Sequence, residues 1–122
     1  RALKGAVIDF VVDLREMSDT YGKFEYFELN DHNHMSLFVP PYFAHGFLSL
    51  QDDTIFTYKC GNYYNKNAEG SVVYSDPIIR HVNDNNQTIK DVIDFYYPCE
   101  SEDDLLLSYK DKHAPKFLKR KY

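Results

Sequence analysis

The chain has 122 residues, 43% of them hydrophobic and 16% aromatic, with a formal charge of −5. That length suits one domain with one core, and charged residues at 27% with five Gly and five Pro give the composition of a folded protein. The acidic balance argues against nucleic acid as a partner, since phosphate binding wants a basic surface. The longest apolar runs are broken by Asp9 and Asp13, which excludes a membrane span within them.

Tyr and Phe are abundant, Trp is absent, and β-branched residues cluster in short runs, a combination that favours strands. The chain begins at Arg1 and enters an apolar alternating pattern at once, as if cut into an existing strand. From Ala6 to Leu14 the alternation has period two. Ile8, Phe10, Val12 and Leu14 share one face, and Asp9, Val11 and Asp13 the other. A turn cluster at Ser18 to Gly22 leads to a second strand over Lys23 to Leu29. The polar turn Asn30 to His34 leads to a third over Met35 to Val39, stopped by Pro40-Pro41. Phe47 to Leu50, Thr54 to Cys60 and Gly70 to Tyr74 read as further strands, joined by polar connectors. Short strands at this spacing predict an all-β sandwich or barrel. The C-terminal third changes character. His81 to Gln87 reads as a polar loop, and Thr88-Ile89-Lys90-Asp91 has the form of a capping box for a short helix with Val92 and Ile93 on its apolar side. Glu100 to Asp104 reads as a solvated acidic stretch, and Leu105 to Leu107 fits a buried strand or a helix equally.

Cys60 and Cys99 stand in no metal-type spacing and make no disulfide framework. With no signal-peptide pattern, the reading is a soluble, cytoplasmic protein with reduced thiols. Chemistry concentrates in Val39 to Phe47, where a strand ends at prolines and the chain re-enters the sheet at Gly46-Phe47 with His45 at the bend. This stretch matches the second cupin motif, Pro-x-Gly-x-x-His, with Tyr42 in place of the Gly. In metal-dependent cupins that His joins two others and a Glu. Here His32 and His34 sit in a polar turn with no Glu at ligand spacing, and His81 and His113 are isolated, so no metal site is expected. Tyr58 shares a strand face with Phe56 and Cys60. A phenol turned into a barrel needs a partner and, holding its proton at neutral pH, suits protonation of an enolate. Asp111 could orient a His and Lys110 could meet a phosphate, or the two could form an exposed pair.

Together these stretches resemble the dTDP-4-dehydrorhamnose 3,5-epimerases, a metal-independent branch of the cupin superfamily. The matching segments are Gly5 to Arg15, Ser18 to Lys23, Val39-Pro40-Pro41 through Ala44-His45-Gly46-Phe47-Leu48, Tyr58-Lys59-Cys60 with Tyr63-Tyr64, Ala68 to Ser71 with Asp76-Pro77, and Leu107 to Asp111 with Ala114-Pro115. The resemblance implies a single cupin jelly-roll domain over residues 1–122, incomplete at its N-terminus, with a short helical or irregular C-terminal part. It implies a homodimer acting without a cofactor on a dTDP-linked 4-keto-6-deoxy sugar, inverting C3 and C5. By the same likeness Tyr58 is the proton donor and Asp111 the carboxylate paired with the base. His45, Glu69, Lys110 and Asp9 bind substrate, and Tyr64 stacks on thymine. The family's base His, in an Arg-Gly-Leu-His motif, matches a region before Arg1, as do a Lys and an Arg, so the chain corresponds to about the family's C-terminal two-thirds. A second departure is the polar stretch from about Arg80 to Asp91, followed by Ile93-Asp94-Phe95-Tyr96-Tyr97-Pro98 where the family has Ile-Asp-Trp-Pro. The alternatives are an epimerase restricted to C3 or acting on another deoxysugar nucleotide, a non-catalytic cupin that binds a sugar nucleotide, and a metal-dependent cupin oxygenase.

Overall fold

A computed structural model describes residues 1–59 and 74–97. Its elements in chain order are β1 (Ala2–Lys4), β2 (Ala6–Asp13), β3 (Lys23–Asn30), β4 (Phe43–Ser49), β5 (Ile55–Phe56), β6 (Arg80–His81) and α1 (Ile89–Tyr96). They form a four-stranded sheet of order β4-β2-β3-β6 and a two-stranded sheet of β1 and β5. β2 is antiparallel to both its neighbours, whereas β6 runs parallel to β3. Gly5 separates the two sheets. Its φ of +80° swings the chain from β1 into β2, and a side chain there would collide with Thr54.

The period-two pattern of β2 decides which face does what. Ile8, Phe10 and Val12 turn to one side and pack with Phe24 of β3, with Ile79, and with Ile89, Val92 and Ile93 of α1. Burying each such side chain is worth about 1.5–3 kcal/mol, so this face is the main store of stability. α1 forms where the capping box was read. Thr88 Oγ1 accepts from Asp91 N at 3.2 Å, and Thr88 N donates to Asp91 Oδ2 at 2.9 Å. Its apolar positions Ile89, Val92 and Ile93 fall at helical spacing and lie on the core, as Val92 and Ile93 were expected to.

Directly opposed residues in an antiparallel pair share a face. Asp9 stands opposite Phe47 on β4 and Phe27 on β3, and Val11 stands opposite His45 and Glu25. The second face of β2 therefore carries Asp9 and Asp13, both buried, with His45 and Phe47 beside them.

Several elements differ from the sequence reading. Met35 to Val39 forms no strand; Phe38 is 82% exposed, and the Asn33 side chain holds the turn before it by accepting from Met35 N at 3.1 Å. β4 begins at Phe43 rather than Phe47 because Tyr42, at φ +70°, turns the chain back beside Leu14, whose N–H donates to the Tyr42 carbonyl at 3.0 Å. Within Thr54 to Lys59 only Ile55–Phe56 is strand, since its partner β1 is three residues long. β1 and β6 were not expected. β6 lies at the start of the polar stretch His81 to Gln87, and His81, isolated in the sequence, is 2.8 Å from Glu25 Oε1 through Nε2. The expected strand at Gly70 to Tyr74 falls almost wholly outside the described residues, as do the stretches Glu100 to Asp104 and Leu105 to Leu107.

Candidate functional site

His45 sits in the middle of β4 and Asp9 in the middle of β2, and the register brings their side chains together. His45 Nε2 is 2.7 Å from Asp9 Oδ1. Asp9 is 2% exposed and the His45 side chain 31%, so a carboxylate at the floor meets an imidazole that reaches the surface. The contact is close enough for an ion pair when the imidazole is protonated. Oδ1 is buried and accepts no hydrogen bond among the described residues. A buried acceptor in that condition is costly unless a donor arrives. A polar ligand entering beside His45 could supply one.

Aromatic rings from both sheets enclose this pair. The Phe56 ring, on β5, is 6.4 Å from the His45 ring at an interplanar angle of 29°, and 4.7 Å from the ring of Phe47. Tyr58 follows, its ring 6.3 Å from Phe56. Against the expectation of a phenol turned into a barrel from a strand, Tyr58 lies beyond the end of β5 and is 72% exposed; Phe47 is 53% exposed. Imidazole, two phenyl rings and phenol thus pack in succession at the surface, with the Asp9 carboxylate buried against His45. Among the described residues no three His, Cys, Asp or Glu side chains gather closely enough to hold a metal ion. His32 and His34 lie in an exposed turn away from it.

At the end of the same face Asp13 accepts from Arg15 N at 2.9 Å, Arg15 Nε at 3.0 Å and Nη2 at 2.9 Å, and from the hydroxyls of Ser18 and Thr20. The Arg15 guanidinium above all, then the two hydroxyls, holds the Asp13 carboxyl far below the usual carboxylate range, against the opposing effect of burial. Arg15 in turn lies over the ring of Phe43, 4.9 Å from its centroid. This cluster pins the β2–β3 turn to the start of β4.

Of the residues singled out from sequence, the structure brings Asp9 and His45 into contact and places Tyr58 beside them through Phe56. Glu69, Tyr64, Lys110 and Asp111 lie outside the described residues. Phe47 and Phe56 were not singled out. The signal was present in the alternation, since Phe56 shares Tyr58's face and Phe47 stands two residues beyond His45.

The model of the family described as dTDP-4-dehydrorhamnose 3,5-epimerase matches residues 1–119. An enzyme of that name from Methanothermobacter thermautotrophicus is 38% identical over 113 residues, covering 93% of this chain and 54% of its own length. One from Shigella flexneri is 34% identical over 122 residues, covering 100% of this chain and 58% of its own. A dTDP-4-dehydrorhamnose 3,5-epimerase structure from Elizabethkingia anophelis superposes with a TM-score of 0.79 at 40% identity, over 99% of this chain and 58% of that one. A dTDP-6-deoxy-D-glucose-3,5-epimerase structure from Legionella pneumophila, in complex with dTDP-4-keto-L-rhamnose, superposes with a TM-score of 0.73 at 33% identity, over 94% and 53%. The chain thus spans little more than half the length of these relatives. Among the described residues the regular structure is mostly β with one short helix, and with these neighbours the fold is a cupin jelly roll. The chain belongs to the dTDP-4-dehydrorhamnose 3,5-epimerase family.

Proposed function

We propose that the protein containing this chain inverts C3 and C5 of a dTDP-linked 4-keto-6-deoxy sugar, and that the surface around Asp9 and His45 is its sugar site. The observation that carries the reading is the 2.7 Å approach of the partly exposed His45 to the buried Asp9, with Phe56 packed between His45 and Tyr58, in a chain of this family.

The chemistry needs no redox partner. A C–H bond α to the C4 ketone breaks toward a base, and its electron pair moves into the carbonyl to give an enolate. Return of a proton to the same carbon from the opposite face restores the ketone and inverts the centre. Tyr58 is assigned the donor's role, its hydroxyl losing to the sugar carbon a proton that solvent later replaces. Asp9 and His45 hold the sugar, the orphaned Oδ1 accepting from a sugar hydroxyl. The base is assigned by resemblance to a His outside these 122 residues, paired with Asp111. Glu69 and Lys110 bind substrate and Tyr64 stacks on the thymine. The homodimer expected of the family belongs to the same reading, and light scattering of the whole protein tests it.

Incubating the whole protein with dTDP-4-keto-6-deoxyglucose in D2O should place deuterium at C3 and C5, read by NMR. Tyr58→Phe should slow the inversion by about 10²-fold or more, the usual worth of a positioned acid. Deuterium at C3 alone would convert the reading to a C3-epimerase. Absence of exchange at either carbon would overturn it.

A further inference from the structure

Phe47 and Phe56 form an apolar surface beside Asp9 and His45, and neither the contact between those two nor the proton transfer uses it. Phe47 stands directly opposite Asp9 in the β2–β4 register, so it projects from the same face. Phe56 comes from the other sheet and meets it at 4.7 Å between ring centres. Half of Phe47 remains open to solvent. On the proposed reading, a donor on Tyr58 approaches C5 to within about 3–3.5 Å. C6 is bonded to C5, one C–C length of about 1.5 Å away. It must therefore lie within about 5 Å of the Tyr58 hydroxyl, and among the described residues the ring packed beside that of Tyr58 is Phe56, 6.3 Å away between ring centres.

We propose that Phe47 and Phe56 seat the C6 methyl of the sugar and so select 6-deoxy sugars over their 6-hydroxy counterparts. This rests on the proposed function and adds a specificity-determining pair to it. Two phenyl rings gain dispersion and bury apolar area when a methyl lies against them. They offer no hydrogen bond to a C6 hydroxyl, which would have to shed water without a replacement. Discrimination of this kind is limited to about 10–10²-fold, because an apolar wall penalises a hydroxyl only through desolvation.

The test is equilibrium binding of dTDP-6-deoxy-D-glucose and dTDP-D-glucose to the whole protein. These differ only in the C6 hydroxyl, and with no ketone neither is turned over. The wild-type protein should prefer the 6-deoxy compound by about tenfold or more. Phe47→Ala and Phe56→Ala should each bring the ratio to within about twofold by weakening the 6-deoxy ligand, a loss expected of the removed apolar contact. Should either alanine variant fail to fold, Phe47→Leu and Phe56→Leu serve instead and should give intermediate ratios. A wild-type ratio near one, or a ratio unmoved in folded variants of both positions, overturns the seat while leaving deuterium exchange at C3 and C5 intact. Binding of neither nucleotide overturns the site reading and the seat together.

Discussion

At the scale of single residues, Asp9 and Asp13 show how one sequence pattern can hide two fates. Both lie on the same face of β2 and both are buried. Asp13 accepts from Arg15, Ser18 and Thr20, whereas Asp9 Oδ1 accepts no hydrogen bond among the described residues. Alternation placed them on a shared face, but nothing in it distinguished an anchored carboxylate from one that meets a ligand. That difference arises from register, which sets His45 beside one and the Ser18–Thr20 turn beside the other. The Asp13 carboxyl ionises at lower pH in the folded chain than its ordinary 3.8. Its stabilisation is therefore complete above that value and is lost as the pH falls below it. Asp13→Asn should lower stability at pH 7 by about 1.5–3 kcal/mol in urea denaturation. The gap to the wild type should narrow as the pH is taken from 5 toward about 2, and a constant gap would count against the assignment.

Among the elements, the strands that could be read were those whose periodicity has a purpose. β2 and β3 were legible because one side of each faces the core, and α1 because its cap and its i, i+3, i+4 apolar positions agree. Met35 to Val39 looked like a strand by composition, yet no described strand pairs with it and Phe38 stays exposed. β6 was illegible for the opposite reason. Two polar residues carry no pattern, and only the parallel register with Lys23 and Phe24 makes them a strand. The start of β4 was masked by Tyr42, whose positive φ is a conformation that L side chains reach at a cost of about 1–2 kcal/mol. Tyr42→Gly should raise stability by about 0.5–1 kcal/mol, since glycine's greater freedom in the unfolded chain returns part of the gain. Thermal unfolding reads the shift, and a lower melting temperature would mean that the Tyr42 ring makes contacts outweighing the strain.

For the whole molecule, the four-stranded sheet divides the work between its faces. One side packs on α1 and Ile79, and the other presents Asp9, His45 and Phe47. Stability and recognition are thus held on opposite sides of the same strands, and substitutions should separate them. Ile79→Ala, at a fully buried core position, should cost about 2–5 kcal/mol of stability. It should leave the affinity of the folded protein for dTDP-6-deoxy-D-glucose unchanged, measured below the melting transition. The family was legible from motifs, because Ala44-His45-Gly46-Phe47 and Tyr58-Lys59 carry it in a few residues. The site's apolar wall was legible only in part: alternation puts Phe47 with His45 and Phe56 with Tyr58, but nothing in the sequence shows the two sheets to be adjacent.

The parallel pairing of β6 with β3 also bears on how the chain assembles. The contact of His81 with Glu25 joins positions 56 apart, whereas the β2–β3 register closes over the nine residues 14–22. Loop-closure entropy must be met before a distant pair returns any energy, so the β2–β3 hairpin has the head start and the β6 edge docks late. In pulse-labelled refolding, the amide of Val82, which donates to the Phe24 carbonyl at 3.0 Å, should acquire protection after those of β2. Simultaneous protection would place the sheet's far edge in the folding nucleus.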